Sequence, residues 1–210
     1  MDILNLLNGP LGQTLIQGAS KQLGLGEDST QKAMSTAMPL ILGAMKNNAS
    51  TQEGASGLLG AIMGGKHDGG ILDNLGSILG GDKIDDDVLQ DGNGILGHVF
   101  NGKQENVAAA VSKTSGIDMG TAMNILKVAG PLLMGVLGKE ARTNGVSNQN
   151  DIEGLLGGML GKGNEKHQSL VNRLLDSDGD GSIIDDVAGM LLSNGKKGGL
   201  GSLLGGLFGK

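Results

Sequence analysis

Apolar residues recur every three or four positions along most of the first 160 residues, which is the spacing of one face of an α-helix. Two stripes of this kind are Leu11, Leu15, Ile16, Ala19, Leu23 and, after the cap candidates Asp28 and Ser29, Ala33, Met34, Ala37, Met38, Ile41, Met45. No run alternates with period two, and the β-branched and aromatic runs typical of strands are missing. The pattern predicts an all-α, multihelical protein.

Further helices are predicted from capping residues and from the same spacing. Ser50 and Glu53 form a capping-box pattern, which opens a helix that ends near Met63. Later in the chain, the helical spacing returns over residues 107–113, 118–137 and 151–160. A histidine between these groups, His98, is expected at the start of a helix, bonded to a nearby backbone group.

The chain contains an internal repeat. Ser20 aligns with Ser112, and in the same register Pro39 meets Pro131 without a gap. Further on, residues 57–60 align with residues 154–157, so the second copy is five residues longer, and we place these in the loop 140–151. Proline and glycine shared at fixed spacing favour duplication over chance similarity between Leu/Gly-rich segments.

The repeat predicts that residues 20–45 and 112–137 superpose, with each proline at a helix start or a kink because an interior proline removes a hydrogen bond. It also divides the chain. We expect a first helical repeat over 1–64, a Gly/Asp-rich linker over 65–94, with residues 64–84 the most mobile, and a second helical repeat over 95–161. A short helix–loop–helix over 165–192 and a mobile Gly-rich tail over 193–210 follow.

Composition narrows the possible functions. The 210 residues include 41 Gly, two Phe and no Trp, Tyr or Cys, which excludes disulfides and thiolate metal sites. The net charge of −6 and the lack of aromatic platforms argue against binding of nucleic acid. No basic leader precedes a long apolar segment, and the uncharged apolar runs reach about half of the ~20 residues that a membrane helix needs. We therefore expect a soluble, cytoplasmic protein.

Several segments resemble a known family. The run Pro131–Gly138, the block Asp91–Phe100 and the Gly-Leu-Leu-Gly segments resemble the YidB-like bacterial proteins, catalogued as domain of unknown function 937. The resemblance covers most of residues 1–160, and the block 91–100 is its most specific part. It implies a compact multihelical fold and a bacterial origin. It implies no established activity, so no catalytic residue carries over.

One motif indicates a calcium site. Its candidate ligands are Asp176, Asp178, Asp180, the backbone carbonyl of Ser182, and Asp185 or Asp186. Carboxylates at the first, third and fifth loop positions, followed by Gly181, are typical of EF-hand and dockerin-type loops. The twelfth position is Val187, so Asp185 or Asp186 has to close the loop. The alternative is a solvated acidic turn without a metal ion.

The remaining chemistry does not indicate an enzyme. His67, His98 and His167 are dispersed, without the paired spacing of a zinc site. The chain has no nucleophile elbow and no phosphate-binding loop. A hydrolase that uses His98 with Asp91 is a minor hypothesis.

Two function classes stay open. The first is a non-catalytic, calcium-binding structural or protein-interaction protein, with an unknown protein partner or self-association. The second is a peripheral membrane protein that uses the segment 198–210, because Lys196, Lys197 and Lys210 make the end of the chain basic and apolar. For that segment the simpler alternative is a disordered tail or a helix packed on the body.

Overall fold

The computed structural model describes residues 2–64, 69–73, 80–81 and 84–161, and these ranges contain helices and no strand. The helices are α1 (Ile3–Asn8), α2 (Pro10–Leu23), α3 (Glu27–Ala49), α4 (Gln52–Met63), α5 (Gly70–Asp73), α6 (Asp86–Phe100), α7 (Gln104–Ser115), α8 (Met119–Thr143) and α9 (Gln149–Leu160). The predicted all-α fold is confirmed.

Two long helices, α3 and α8, form the centre of the fold. They pack on each other, and α4, α6, α7 and α9 each contact both of them. The most apolar stretch of α8 is buried without interruption from Val128 to Gly138. The core is built from Leu, Ile, Val, Met and Ala, and Phe100 is the one aromatic side chain in it among the described residues.

Helix α8 also has the length of a membrane-crossing segment. Its 25 residues include a stretch with a mean hydropathy of 1.4, of which 72 % is buried inside the protein. Burial against neighbouring helices accounts for this hydropathy, because the core helix of a globular protein needs the same apolar composition.

The helix boundaries fall at corresponding places in the two halves. Gly24 ends α2 and Gly116 ends α7, both with left-handed backbone (φ 64° and 73°), which glycine adopts without steric cost. The following helices start at Glu27 and Met119, again in the register of the repeat. The third helices, α4 and α9, each have 12 residues. Superposition of the two halves stays a prediction.

The two prolines are not at helix starts. Pro39 and Pro131 lie inside α3 and α8, where both are buried. Each lies within a helix whose burial offsets the hydrogen bond lost at the proline. A kink at either proline, the other predicted possibility, stays a prediction. The capping residue of α4 also differs from the prediction by one position, since the hydroxyl of Thr51 accepts the N–H of Gly54.

The linker prediction was wrong at its end. Residues up to 94 were expected to be loop, whereas α6 begins at Asp86 with the carboxylate of Asp85 capping the N–H of Asp87. The glycines at 92 and 94 do not interrupt this helix. His98, which was expected at a helix start, lies in its last turn.

Candidate functional site

A groove with a volume of about 1400 Å³ opens between α4 and α6. Both helices pack on α3 and α8, and side chains of these two long helices lie at the bottom of the groove. Met45, Pro131 and Met134 are buried there and give it an apolar floor. We refer to this feature as the α4–α6 groove.

Each wall of the groove is one face of a helix. The groove-lining residues of α4 are Glu53, Gly54, Gly57, Leu58, Ala61, and those of α6 are Asp87, Val88, Gln90, Asp91, Gly94, Ile95, His98, Val99. Most of these positions are three or four residues apart, which places them on a common face. The wall of α6 therefore extends over 13 residues, from Asp87 to Val99, or about 18 Å along the helix.

One end of the groove is fixed by Asn48, which lies in the last turn of α3. Its side-chain amide donates to the backbone carbonyls of His98 and Val99, at 3.3 and 3.0 Å. These carbonyls belong to the last turn of α6, where no further N–H of the helix can reach them. A Cβ on Gly54 would overlap the carbonyl oxygen of Asn48. Asn48 thus joins the N-terminal end of α4 to the C-terminal end of α6.

Helix α6 is held against α8 by a backbone contact. A Cβ added at Gly92 would overlap the carbonyl group of Lys127, so the two backbones touch. Pro131 lies four residues after Lys127 and has no N–H to donate to that carbonyl. The Cα of Gly92 therefore packs against a carbonyl oxygen that receives no N–H from the residue four positions later. This arrangement permits a weak Cα–H···O contact.

Other glycines of the same two helices have no such role. A Cβ at Gly57 or Gly94 would meet nothing within 4 Å, and both positions line the groove. Gly60 and Gly97 are equally open. The internal packing of the described residues thus requires Gly54 and Gly92 but leaves these four glycines unexplained.

The charged side chains that line the groove are acidic. Glu53 lies at the N-terminal end of α4, Asp87 in the first turn of α6, and Asp91 one turn further along α6. No Lys or Arg is among the described lining residues. Both Glu53 and Asp87 are exposed to solvent.

The groove does not form a catalytic centre from the predicted candidates. Asp91 and His98 both line it, but seven helical residues separate them, which is about 10 Å along α6. A hydrolytic dyad requires its acid and base within hydrogen-bond distance, about 3 Å. Among the described residues, no group of three or more His, Asp or Glu is arranged to hold a metal ion.

The predicted calcium ligands are not placed by the structure. Asp176, Asp178, Asp180, Ser182, Asp185 and Asp186 lie outside the described residues, as do His67, His167 and the basic tail. The groove itself was not predicted. A signal for it was present in the chain, because Gly57 interrupts an otherwise helical pattern and such a glycine usually has a packing or functional reason, whereas Gly94 lay in the predicted linker.

Comparison with known proteins identifies a family over most of the described residues. Residues 5–140 match a family described as bacterial proteins of unknown function, DUF937. No curated protein and no solved structure matches the chain. The matched range includes α4, α6 and every described residue that lines the groove.

Proposed function

The chain belongs to the DUF937 family of bacterial proteins, and we propose that it is a non-catalytic interaction protein that binds a helix of a partner in the α4–α6 groove. The open glycines that line the groove carry this proposal. We also propose that the chain is YidB-like, a narrower resemblance that rests mainly on the block 91–100. The same block supplies part of one wall of the groove.

The cost of the open glycines supports binding. A glycine inside a helix is about 1 kcal/mol less favourable than alanine. Gly54 and Gly92 offset this cost by allowing contact between backbones, but Gly57 and Gly94 face open space. A partner whose own backbone comes close to α4 and α6 explains both residues, since a side chain at either position would hold it away.

The dimensions support a helix as the bound element. A three-turn helix about 16 Å long and 10 Å across has a volume of roughly 1300 Å³. The groove has about 1400 Å³ and an apolar floor at Met45 and Met134. An amphipathic helix that lays its apolar face into a groove of this kind is a common mode of peptide recognition.

The absence of a catalytic role is part of the proposal. The support is geometric: Asp91 and His98 are two turns apart, and the other polar side chains of the groove are the exposed carboxylates of Glu53 and Asp87, several amides and one hydroxyl. We also propose a cytoplasmic location, on the basis of the composition alone.

The test fills the groove without disturbing the fold. In the double variant Gly57→Met/Gly94→Met, the new side chains enter open space, so melting should stay at or above that of the wild type. The matched control is Gly60→Met/Gly97→Met, which adds the same side chains at open positions of the same helices outside the groove. Each chain is cross-linked in an extract of its host, and captured proteins are identified by mass spectrometry.

We expect one or more proteins to be captured by the wild type and the control and to be lost from the groove-filled variant. Capture of the same set by all three chains would overturn the proposal. A set that changes equally in both variants would contradict it as well, because the effect would then not depend on the groove.

The calcium loop is a second element of the proposed function. Three close carboxylates repel one another, so Ca²⁺ at Asp176–Asp186 should stabilise that part of the chain by about 2.7 kcal/mol at one hundred times Kd. Calorimetric titration of the wild type against Asp176→Ala and Asp180→Ala tests it. No heat and no melting shift at about 10 mM calcium, well above the weakest affinity of such loops, would exclude the site.

The alternative function is peripheral membrane association through residues 198–210. Its support is the sequence of that apolar segment and the residues before it, where Lys196, Lys197 and Lys210 supply positive charge and no acidic residue follows Asp186. Co-sedimentation with anionic liposomes distinguishes it, since a chain that ends at 192 should lose binding under this alternative and keep its groove-dependent partners under the main proposal.

A further inference from the structure

We infer that the partner helix of the α4–α6 groove is cationic, with basic residues at both of its ends and small or aliphatic residues between them. This inference rests on the proposed function and specifies its partner. It comes from the distribution of charge along the groove, from the length of the α6 wall and from the open space at its glycines.

The charge of the groove has one sign. Glu53 and Asp87 are exposed carboxylates at its edge, Asp91 is a half-buried acid one turn from Asp87 on the same wall, and no Lys or Arg is among the described lining residues. His98 is the one other titratable side chain among these residues besides the acids. A partner that carried acidic residues along the same face would meet like charges, which complementary interfaces avoid.

The two exposed carboxylates lie toward opposite ends of the α6 wall. Glu53 is next to Gly54, whose Cα is in contact with Asn48, and Asn48 binds the carbonyls of His98 and Val99. Asp87 lies eleven residues before His98, about 16 Å away along α6. A helix that fills this length has about three turns, so its basic residues belong near its two ends.

The middle of the groove requires a different surface. Gly57 and Gly94 line it, and Ile95 and Leu58 are half-buried beside them. With no Cβ on the glycines, the partner backbone comes closest at these positions. Small residues on the partner helix that face the glycines permit this close approach. Leu or Ile beside them on the partner match the apolar floor of the groove.

A displayed peptide library tests the inference. Every member is a 14-residue amphipathic helix with a fixed face of Leu and Ala, and six polar positions vary among Lys, Gln and Glu. Selection uses the full-length wild type, and binders are then counter-selected against Gly57→Met/Gly94→Met, so that only groove-dependent peptides remain. We expect Lys to be enriched at the terminal positions and Glu to be depleted.

The outcomes separate this inference from the proposed function. Groove-dependent peptides that are neutral or acidic would overturn the cationic partner and leave helix binding intact. If no peptide depends on the groove, both proposals fail. If filling the groove instead converts a dimer to a monomer in analytical ultracentrifugation, the occupant is a second copy of this chain and the cationic partner is overturned.

A charge variant provides the quantitative test. The affinity of the best Lys-containing peptide should fall about fivefold in Glu53→Gln/Asp87→Asn, as expected for two exposed ion pairs, and the loss should shrink at high salt. The matched control Asp28→Asn/Glu105→Gln removes the same charge from the first turns of two other helices, outside the groove. Equal loss in both variants would indicate attraction to the net charge alone and would overturn the inference.

Discussion

Helices α4 and α9 occupy corresponding places in the repeat and have the same length of 12 residues, but their surroundings differ. In both, the second-turn residue (Ala55, Ile152) is buried. The last residues differ, since Met63 is 47 % exposed whereas Leu160 is 2 % exposed. The apolar face of α9 is covered, and that of α4 is covered only in part.

The neighbouring helices explain the difference. On the side of α9, the amide of Gln149 donates to the carbonyls of Ala49 and Ser50 and holds this helix on the end of α3. Helix α4 instead faces α6 across the groove. Helix α6 has 15 residues, whereas α1, its counterpart in the first half of the repeat, has six. The last six residues of α6 align with α1 in the register of the repeat, so its first turns are an addition that borders the groove. Two helices of similar sequence thus have different surroundings, since α9 closes the core and α4 borders the groove.

The largest expected effect comes from truncating equivalent leucines. Leu156 of α9 is fully buried, and Leu156→Ala should lower the free energy of unfolding by about 3 kcal/mol through lost burial and a cavity. Its counterpart Leu59 in α4 is half-buried, and Leu59→Ala should cost about 1 kcal/mol. Urea unfolding of both variants measures the difference. Equal losses would show that the two helices are equally covered and would break the comparison.

The next effect distinguishes the packed glycines from the open ones within α6. Gly92→Ala places a methyl group against the backbone of Lys127 and should destabilise the protein by about 2 kcal/mol. Gly94→Ala enters open space and should stabilise it by up to about 1 kcal/mol through helix propensity. Thermal and urea unfolding give both values. The account of the α6–α8 contact is wrong if Gly92→Ala unfolds no more easily than Gly94→Ala.

The loss of folding stability at acid pH should come mainly from carboxylates in the second half of the repeat. The hydroxyl and the backbone N–H of Thr121 lower the pKa of Asp118 below its ordinary value of 3.8, and the backbone N–H of Ser147 chiefly lowers the pKa of Asp151. Glycines occupy the corresponding positions of the first half, Gly26 and Gly54. Because the folded pKa values are lowered, the stabilisation is complete above pH 3.8 and is lost as the pH falls through them.

The corresponding experiment is urea unfolding over a pH series from about 5 to 2. Asp118→Asn and Asp151→Asn keep an oxygen acceptor but remove the titrating charge, so the stability of the double variant should change less across this range than that of the wild type. An unchanged pH dependence would place the acid sensitivity elsewhere in the chain.

The smallest effect comes from copying a cap from one half to the other. Gly26 caps α3 without a side-chain hydrogen bond, has extended backbone, and has open space around it. Gly26→Asp should therefore stabilise the protein by a few tenths of a kcal/mol, as expected for an acidic N-cap in place of glycine. A melting temperature below that of the wild type would indicate that the two helix starts are not equivalent.

Much of the helical part of the fold follows from local patterns. The apolar stripes locate α2, α7 and α9 to within about three residues, because helices that pack on a core repeat their apolar positions every three or four residues. They locate α3 and α8 as well, but stop at Met45 and Leu137, before the ends of these helices at Ala49 and Thr143. The shared Gly24 and Gly116 mark the two corresponding corners, since both adopt positive φ. These features depend on residues close in the chain.

The groove and the start of α6 depend on residues far apart in the chain. The sequence Asp91-Gly92-Asn93-Gly94 has the composition of a turn, and the helix persists there because Gly92 packs on Lys127, 35 positions later. No local pattern contains that contact. The open position of Gly94 is equally invisible until α4, α6 and α8 are placed together, so the sequence could indicate unexplained glycines but not the surface that they border.

The most direct test of helix binding at the groove is site-specific photo-crosslinking in the native host. A photoreactive residue replaces His98, which lines the groove, or Asn93, which is exposed on α6 outside it. We predict a discrete adduct from position 98 that disappears when Gly57→Met/Gly94→Met is added, and no such adduct from position 93. The same adduct from both positions, or an adduct at position 98 that survives filling of the groove, would contradict the account.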